Sequence, residues 1–291
     1  MRKSPGKYVL VGQALLMICA APSAGGQLPI ERAAAPAQQG APIVVGQSYT
    51  IKSKILGDAR RLNVWLPSSY GKANTRYPVL VLLDGGVTED FLHIVGLAQI
   101  TSAYGRGREL IVIGVEGVDR RHDLSPKTDD PADLRFTKKP GGADNYRRFL
   151  AEEVKPWVSA RYSTNDRWAL IGESMAGLFV LDTLANTPAA FNDYIAVSPI
   201  VWWNRQSVSR ALAGRPGSND RRVFVAFEGN LIAGANGPTP AQEAETRIEA
   251  AFRGLPNRTV VRFADERHDA IYQPAALAAF RTLYALGPAA N

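Results

Sequence analysis

The chain is poor in the side chains that form disulfides and most metal sites. Its 291 residues include one cysteine, Cys19, and three histidines. A single cysteine excludes an intrachain disulfide and a cysteine-rich structural zinc site. Histidine is the side chain that most often acts as a general base near neutral pH. Histidine-dependent catalysis must therefore use His93, His122 or His268.

The sequence also lacks long runs of one charge. Its net charge of +7 includes three basic residues and no acidic residue among the first 24, so residues 25–291 carry +4. Elsewhere the basic residues are scattered or paired, as at 120–121 and 138–139. This distribution is typical of a solvated surface, and nucleic acid is not an expected partner. The composition, 46% hydrophobic and 21% charged, indicates a globular protein and excludes a disordered or collagen-like chain.

One apolar run, residues 8–20, follows three basic residues and precedes small residues at 20–24. This pattern predicts a signal peptide over residues 1–24 and a periplasmic or secreted protein. The run is shorter than the roughly 20 residues that a membrane-spanning helix needs. Two alternatives remain open. One is an uncleaved membrane anchor, and the other is a lipoprotein attached at Cys19, against which the bulky Ile18 counts.

Residues 25–47 are rich in Ala, Pro, Gln and Gly and are predicted to be a linker. No later segment is apolar enough to predict a membrane span after the signal is removed.

Residues 48–291 are predicted to form one α/β domain. Strand-like and helix-like segments alternate, which predicts a mostly parallel sheet with helices on both faces. The first two strands are expected to pair antiparallel at one edge. The predicted strands are 48–55, 62–66, 77–83, 110–115, 167–171, 194–197, 223–227 and 259–263. The predicted helices are 90–103, 143–160, 175–185, 240–253 and 274–286.

The segment GESMAG at residues 172–177 lies between a buried strand and an apolar helix. A serine in this setting is typical of the nucleophile elbow of the α/β-hydrolase fold, which holds the hydroxyl above the end of the sheet. Ser174 is therefore the candidate nucleophile. The N–H of Met175, at the start of the helix, is a candidate oxyanion-hole donor. Ala176 stands where the usual G-x-S-x-G motif has glycine, and G-x-S-x-A alone is equally compatible with an ordinary turn and a surface serine.

A serine nucleophile needs a base, and in α/β-hydrolases the histidine follows the serine in the chain. Only His268 lies after Ser174. It sits between the last predicted strand and the last predicted helix, at the same sheet edge as the elbow. This order and position favour His268 as the base over an exposed loop histidine. His93 and His122 are interpreted as structural or exposed.

The acid that orients the histidine is expected at the end of a neighbouring strand. Glu228 follows the strand before the histidine and is the candidate, with a solvated loop carboxylate as the alternative. Glu243 and Glu245 are interpreted as surface residues of the next helix. Asp265 and Glu266 are too close to the histidine in sequence to reach its Nδ1.

The second oxyanion-hole donor is expected after the strand at 77–83. The glycines at 85–86 follow this strand, and a glycine lets a backbone amide approach the reacting carbonyl. Gly85 is the candidate, with a plain turn as the alternative.

Several separated segments resemble the esterase family of α/β-hydrolases that includes enterochelin-esterase-like and esterase D-like enzymes, feruloyl esterases and acetyl-xylan esterases. These segments are YPVL at 77–80, LDGG at 83–86, VDRRHDLSP at 118–126, GGAD at 141–144 and AVSP at 196–199 with the tryptophans at 202–203. The chain departs from the family where Glu173, Ala176 and Asp269 replace a histidine and two glycines. Some members of the family resemble a Ser–His dyad, which leaves the role of Glu228 open.

The resemblance implies acyl transfer to Ser174 with His268 as base, followed by hydrolysis, with no metal or organic cofactor. The expected partner is a small-molecule ester: a siderophore lactone, a feruloyl ester or an acetyl-sugar ester. An acyltransferase with a sugar or lipid acceptor and a catalytically silent binding paralogue remain alternatives. Trp202, Trp203 and Tyr272 form either an aromatic wall for a planar substrate or part of the core.

Overall fold

The computed structural model describes residues 40–72, 74–103, 105, 107–214, 220–229 and 237–286. The chain divides into two units, Met1–Ile43 and Val44–Asn291, and every strand and helix below belongs to the second. The predicted signal peptide at 1–24 and most of the predicted linker at 25–47 lie outside the described residues.

The described part of the body contains a sheet of eight strands in the order β1-β2-β4-β3-β5-β6-β7-β8. β1 pairs antiparallel with β2, and β2 pairs antiparallel with β4. All later neighbours are parallel. The strands are β1 (Gln47–Lys52), β2 (Ala59–Trp65), β3 (Tyr77–Leu83), β4 (Ile111–Val115), β5 (Thr164–Glu173), β6 (Asp193–Val197), β7 (Arg222–Glu228) and β8 (Arg258–Phe263). The predicted mostly parallel sheet with an antiparallel edge is confirmed.

The helices of the described residues include the five that the sequence predicts, two short ones, and a helix of 12 residues, Trp203–Gly214, that was not predicted. They are α1 (Phe91–Ala103), α2 (Arg120–Asp123), α3 (Pro131–Phe136), α4 (Ala143–Phe149), α5 (Lys155–Ser159), α6 (Met175–Asn186), α7 (Trp203–Gly214), α8 (Pro240–Phe252) and α9 (Tyr272–Leu283). A π-helical turn, Leu150–Val154, joins α4 to α5, and a 3₁₀ turn, Pro188–Ala190, follows α6. The predicted helix at 143–160 is thus one helical stretch with a π turn inside it.

Apolar side chains cover both faces of the sheet. On β3, Val79 and Val81 belong to the core that α4, α6 and α8 cover, whereas Leu80 belongs to the core that α1 and α9 cover. Alternation along a strand sends successive side chains to opposite faces. A strand that is buried on both faces therefore needs a continuous apolar run, such as YPVLVLL in β3.

The carboxyl ends of the parallel strands meet at one edge of this sheet. Registered pairs place Glu173 beside Val197, and Val197 beside Ala226. The residues that follow β3, β5, β6, β7 and β8 are therefore close together, although they are far apart in the chain. This edge is where ligands bind in open α/β sheets.

Candidate active site

Ser174 lies on a sharp turn between β5 and α6. Its φ of 60° and ψ of −115° are rare for a residue with a side chain, and such strain persists only where the surroundings hold it. Here the Ser174 N–H donates to the Val197 carbonyl at 3.0 Å, and the Ile200 N–H donates to the Ser174 carbonyl at 3.2 Å. The loop after β6 thus fixes the turn from both sides.

Small side chains allow this turn to pack. A Cβ added at Gly172 would lie 2.6 Å from the Cβ of Ala176, and one added at Gly177 would lie 2.9 Å from the Val197 carbonyl oxygen. The missing side chain of Gly172 therefore makes room for the methyl group of Ala176. This contact explains how the elbow accommodates G-x-S-x-A in place of G-x-S-x-G.

The structure brings His268 to the nucleophile. His268 lies in the loop between β8 and α9, and its Nε2 is 3.0 Å from Ser174 Oγ. Its Nδ1 is 2.9 Å from Ser198 Oγ and 3.4 Å from Glu228 Oε2. A hydroxyl within hydrogen-bond distance of an imidazole, with a carboxylate at the other ring nitrogen, is the arrangement that activates a serine nucleophile.

Glu228 ends β7, as predicted, and its side chain is 16% exposed. Its Oε2 is buried and has no hydrogen-bond partner among the described residues, so this oxygen is open to the imidazole. Ser198, directly after β6, is the second group at Nδ1, and no role for it was predicted from the sequence. Its position directly after a buried strand, at the same edge as Ser174, is the signal that could have identified it.

The two predicted oxyanion-hole donors, Met175 and Gly85, differ in whether the backbone N–H already has an acceptor in the fold. Met175 is the first residue of α6, where the backbone N–H has no acceptor within the helix. The Gly85 N–H instead donates to the Val115 carbonyl at 2.9 Å, which corrects the expectation that it faces the reacting carbonyl. A Cβ at Gly85 would lie 2.3 Å from the Gly114 Cα. Close packing of β3 against β4 is the physical reason for this glycine.

Glu173 precedes the nucleophile and contributes a carboxylate to the site. Its Oε1 lies 4.0 Å from His268 Nε2. Burial raises the pKa of Glu173 to about 7, with further raising by Asp90 and Asp84 against the lowering effect of Arg120. Burial likewise raises the pKa of Asp84 to about 6, against the lowering effect of Arg120, whose Nε lies 2.7 Å from Asp84 Oδ2.

The other sequence candidates lie elsewhere. His93, on α1, is 3.4 Å from Asp90 Oδ1, and His122 Nδ1 is 2.9 Å from the Lys139 carbonyl oxygen. Glu245 is buried and accepts a hydrogen bond from Arg262 at 2.9 Å. Its interpretation as a surface residue is therefore wrong, because α8 packs this side against β8.

The three aromatic candidates separate into core and surface. Trp203 is fully buried and donates from Nε1 to the Pro126 carbonyl at 3.0 Å. Tyr272, at the start of α9, is 8% exposed. Trp202 is half-buried and packs edge-on against Phe136 at 5.9 Å. The rings of Trp202 and Phe136 line a cleft of about 810 Å³ beside α3, α7 and α8. Trp202 is therefore the one tryptophan of the pair that can contact a ligand.

The described residues also lack two features that would bind a metal ion or a membrane. They contain no group of three or more His, Cys, Asp or Glu side chains arranged to hold a metal ion. They also contain no helix with the length and apolarity that crossing a membrane requires.

Solved structures with the same fold include an IroE-like serine hydrolase from Shewanella oneidensis. It aligns with 82% of this chain and 80% of its own, with a TM-score of 0.71 and 20% identity. At this identity the likeness shows the fold, and the α/β-hydrolase fold predicted from the elbow is confirmed.

Two named proteins are similar in sequence to parts of this chain. The ferri-bacillibactin esterase BesA of Bacillus subtilis is 39% identical over 149 residues, which are 44% of this chain and 50% of that protein. The apo-salmochelin esterase of Escherichia coli is 27% identical over 215 residues, which are 69% of this chain and 66% of that protein. The chain thus spans less than two thirds of either relative.

The separated segments that resemble the esterase family all lie within the match to one protein-family model. A family model described as "Putative esterase" matches residues 53–228, more than half of the chain. This segment includes the elbow with Ser174 and ends at Glu228. The chain therefore belongs to the "Putative esterase" family.

Proposed function

We propose that the protein is a carboxylic ester hydrolase that acts through an acyl-enzyme on Ser174. The observation that carries this proposal is the 3.0 Å separation between Ser174 Oγ and His268 Nε2, at a strained turn. A silent binding paralogue would not need to hold a hydroxyl in a rare backbone conformation against an imidazole.

The geometry supports a two-step reaction. His268 Nε2 takes the proton of Ser174 as Oγ attacks the ester carbonyl, and the Met175 N–H donates to the developing oxyanion. The imidazolium is stabilised at Nδ1 by Glu228 and contacts Ser198. It returns the proton to the leaving alcohol, which departs and leaves the acyl group on Oγ. Water, deprotonated by the same nitrogen, then releases the acid and restores the serine.

Siderophore trilactones are the substrate class that we propose. Two relatives that are similar in sequence to parts of this chain, the ferri-bacillibactin esterase and the apo-salmochelin esterase, are named for siderophore esters. The cleft beside α3, α7 and α8 provides apolar contact for a flat ring through Phe136 and Trp202. Aromatic rings recognise planar groups by stacking and edge contacts. Feruloyl and acetyl-sugar esters are the competing substrates.

Hydrolysis of p-nitrophenyl butyrate by the wild type and Ser174→Ala tests the reaction class. Loss of a triad nucleophile lowers kcat by orders of magnitude, so we expect turnover of the variant to fall to near the background. Equal rates would refute the serine mechanism. Product analysis with a competing alcohol then separates the hydrolase, which releases the acid, from an acyltransferase, which forms mainly the new ester.

A panel of siderophore, feruloyl and acetyl-sugar esters tests the substrate class by comparing kcat/KM. We expect the trilactone to have the highest kcat/KM. A higher kcat/KM for a feruloyl or sugar ester would reject the siderophore trilactone as the substrate class.

We also propose a periplasmic or secreted location, supported by the signal-like residues 1–24. Fractionation of cells that express the full chain tests it, and recovery in the cytoplasm at full length would reject it.

A further inference from the structure

Carboxylates dominate the strand ends around the nucleophile. Asp84 directly follows β3, Asp90 directly precedes α1, and Glu173 and Glu228 end β5 and β7. Arg120 is the cation among them, and its guanidinium is engaged: Nε donates to Asp84 Oδ2 at 2.7 Å, and Nη2 donates to the Glu173 backbone carbonyl at 3.4 Å. The Glu173 carboxylate therefore gains no direct ion pair from this arginine.

The side chain of Glu173 lies beside the reacting atoms. Its Oε1 is 4.0 Å from His268 Nε2, which is itself 3.0 Å from Ser174 Oγ. These distances place the carboxylate within about 7 Å of the nucleophilic oxygen. The side chain is 21% exposed, so its field reaches a substrate that enters from solvent.

Other cations near this edge are paired with their own acids. Arg267 lies 2.6 Å from Asp269 Oδ2. Arg262 donates to Glu245 at 2.9 Å and to Glu249 at 2.7 Å. These ion pairs leave Arg120, which is itself paired with Asp84, as the positive charge that offsets Glu173.

The aromatic cleft beside α3, α7 and α8 does not supply a cationic site either. Three arginines, at 135, 205 and 210, and two aspartates, at 130 and 133, line it. Arg205 also lies 2.5 Å from Asp129 Oδ1. The charges of the cleft are therefore close to balance.

We infer that Glu173 makes the acyl-transfer site select uncharged esters over anionic ones. This inference deepens the proposed function, on which its siderophore part rests. Free catechol groups are uncharged near neutral pH, whereas Fe³⁺ bound by three doubly deprotonated catecholates gives a complex with three negative charges. The selected form of a catecholate trilactone is therefore the iron-free ester.

Small thioesters that differ in leaving-group charge test the selectivity without any siderophore. The two probes are the uncharged S-(3,3-dimethylbutyl) thioacetate and the anionic 3-(acetylthio)propanesulfonate, and a thiol reagent detects each product. The readout is the ratio of kcat/KM for the uncharged probe to that for the sulfonate, measured at pH 8. A change in the basal rate of a variant alters kcat/KM for both probes by the same factor and therefore leaves the ratio unchanged.

We expect Glu173→Gln to lower this ratio by about 3-fold if water screens the charge fully, and by up to about 50-fold at an effective dielectric constant near 20. Glu152→Gln is the matched control: Glu152 is an exposed residue of the π turn, paired with Arg148, and its change should leave the ratio unaltered. An unchanged ratio in Glu173→Gln would overturn the inference. Should that variant not fold, added NaCl must lower the wild-type ratio by screening, and a salt-independent ratio would overturn it equally.

Hydrolysis of one catecholate trilactone, with and without bound Fe³⁺, then tests the substrate form at pH 8, above the Glu173 pKa of about 7. We expect the wild type to cleave the iron-free ester faster, and Glu173→Gln to narrow the difference. Faster cleavage of the ferric complex by the wild type would overturn the siderophore part. Cleavage of neither form, with the thioester ratio as expected, would reject the proposed siderophore substrate and support the charge selectivity.

Discussion

The position of His268 between two partners allows a quantitative test of which one supports catalysis. Nδ1 lies 3.4 Å from Glu228 Oε2 and 2.9 Å from Ser198 Oγ. Replacing Glu228 by Gln removes one charge–charge interaction with the imidazolium that forms during acyl transfer. At 3.4 Å, Coulomb's law gives about 5 kcal/mol at an effective dielectric constant near 20 and about 2.5 kcal/mol near 40. We therefore expect kcat/KM to fall roughly 50- to 4,000-fold.

Ser198→Ala should have a smaller effect, because it removes a neutral contact. A hydrogen bond of this kind contributes about 0.5–1.5 kcal/mol, which corresponds to a loss of at most about tenfold. Hydrolysis of p-nitrophenyl butyrate by both variants measures the two effects, with Glu243→Gln, an exposed glutamate on α8, as the control. Wild-type activity in Glu228→Gln, together with a loss of a hundredfold or more in Ser198→Ala, would refute the assignment of Glu228 as the acid.

Three further predictions concern the elbow, the buried carboxyl and the cleft. Gly172→Ala should lower the free energy of unfolding by about 1–3 kcal/mol through overpacking against Ala176, and Ala176→Gly in the same chain should recover part of that loss in urea titrations. The raised pKa of Glu173, about 7, means that the folded state binds the proton more tightly than the unfolded state, so this carboxyl reduces stability most above pH 7 and least at low pH. Glu173→Gln should therefore be more stable than the wild type by about 3 kcal/mol at pH 8 and by under about 1 kcal/mol at pH 5, and a difference that grows towards low pH would contradict this sign. Trp202→Ala should raise KM for an aryl siderophore ester roughly 2- to 10-fold and leave the KM of p-nitrophenyl acetate unchanged, whereas equal changes in both would place Trp202 outside a subsite for the aryl group.

The sheet was predictable from the sequence because its central strands are buried on both faces. Runs such as YPVLVLL in β3 and IVIGV in β4 have few other stable placements than the middle of a covered sheet. The short helices α2 and α3 were not predicted, because four and six residues are too few to show a helical period. Aspartate side chains at their N-caps, Asp119 and Asp130, hold them instead.

Helix α7 was missed for a different reason. Asn204, Arg205 and Gln206 have φ values of 47°, 51° and 64°, so the segment after Trp203 begins in the left-handed region. Tertiary contacts maintain this conformation: the Asn204 N–H donates to Asp133 Oδ2 at 2.8 Å. Local propensity does not report contacts between residues so distant in the chain.

The candidate site was predictable where chain order and strand ends determine it. Ser174, His268 and Glu228 each follow or end a strand, and parallel strands bring such positions to one edge. Chain order and strand ends do not determine which carbonyl accepts the hydrogen bond of a single backbone N–H. Gly85 donates to Val115 because β3 and β4 approach closely, and only the pairing of the two strands reveals it.

The placement of the base in the loop that follows β8 has a consequence for how activity depends on local stability. β8 lies at the end of the sheet, and all six of its residues are half-buried or exposed, whereas β5 pairs on both sides and carries the nucleophile. Edge segments with few buried contacts open at lower free energies than central ones. Partial release of β8 would detach His268 from an otherwise intact fold. In a urea titration, esterase activity should therefore disappear before the intrinsic tryptophan fluorescence changes, because Trp65, Trp168 and Trp203 are buried in the core. The catalytic rate would then report local opening of β8 before global unfolding.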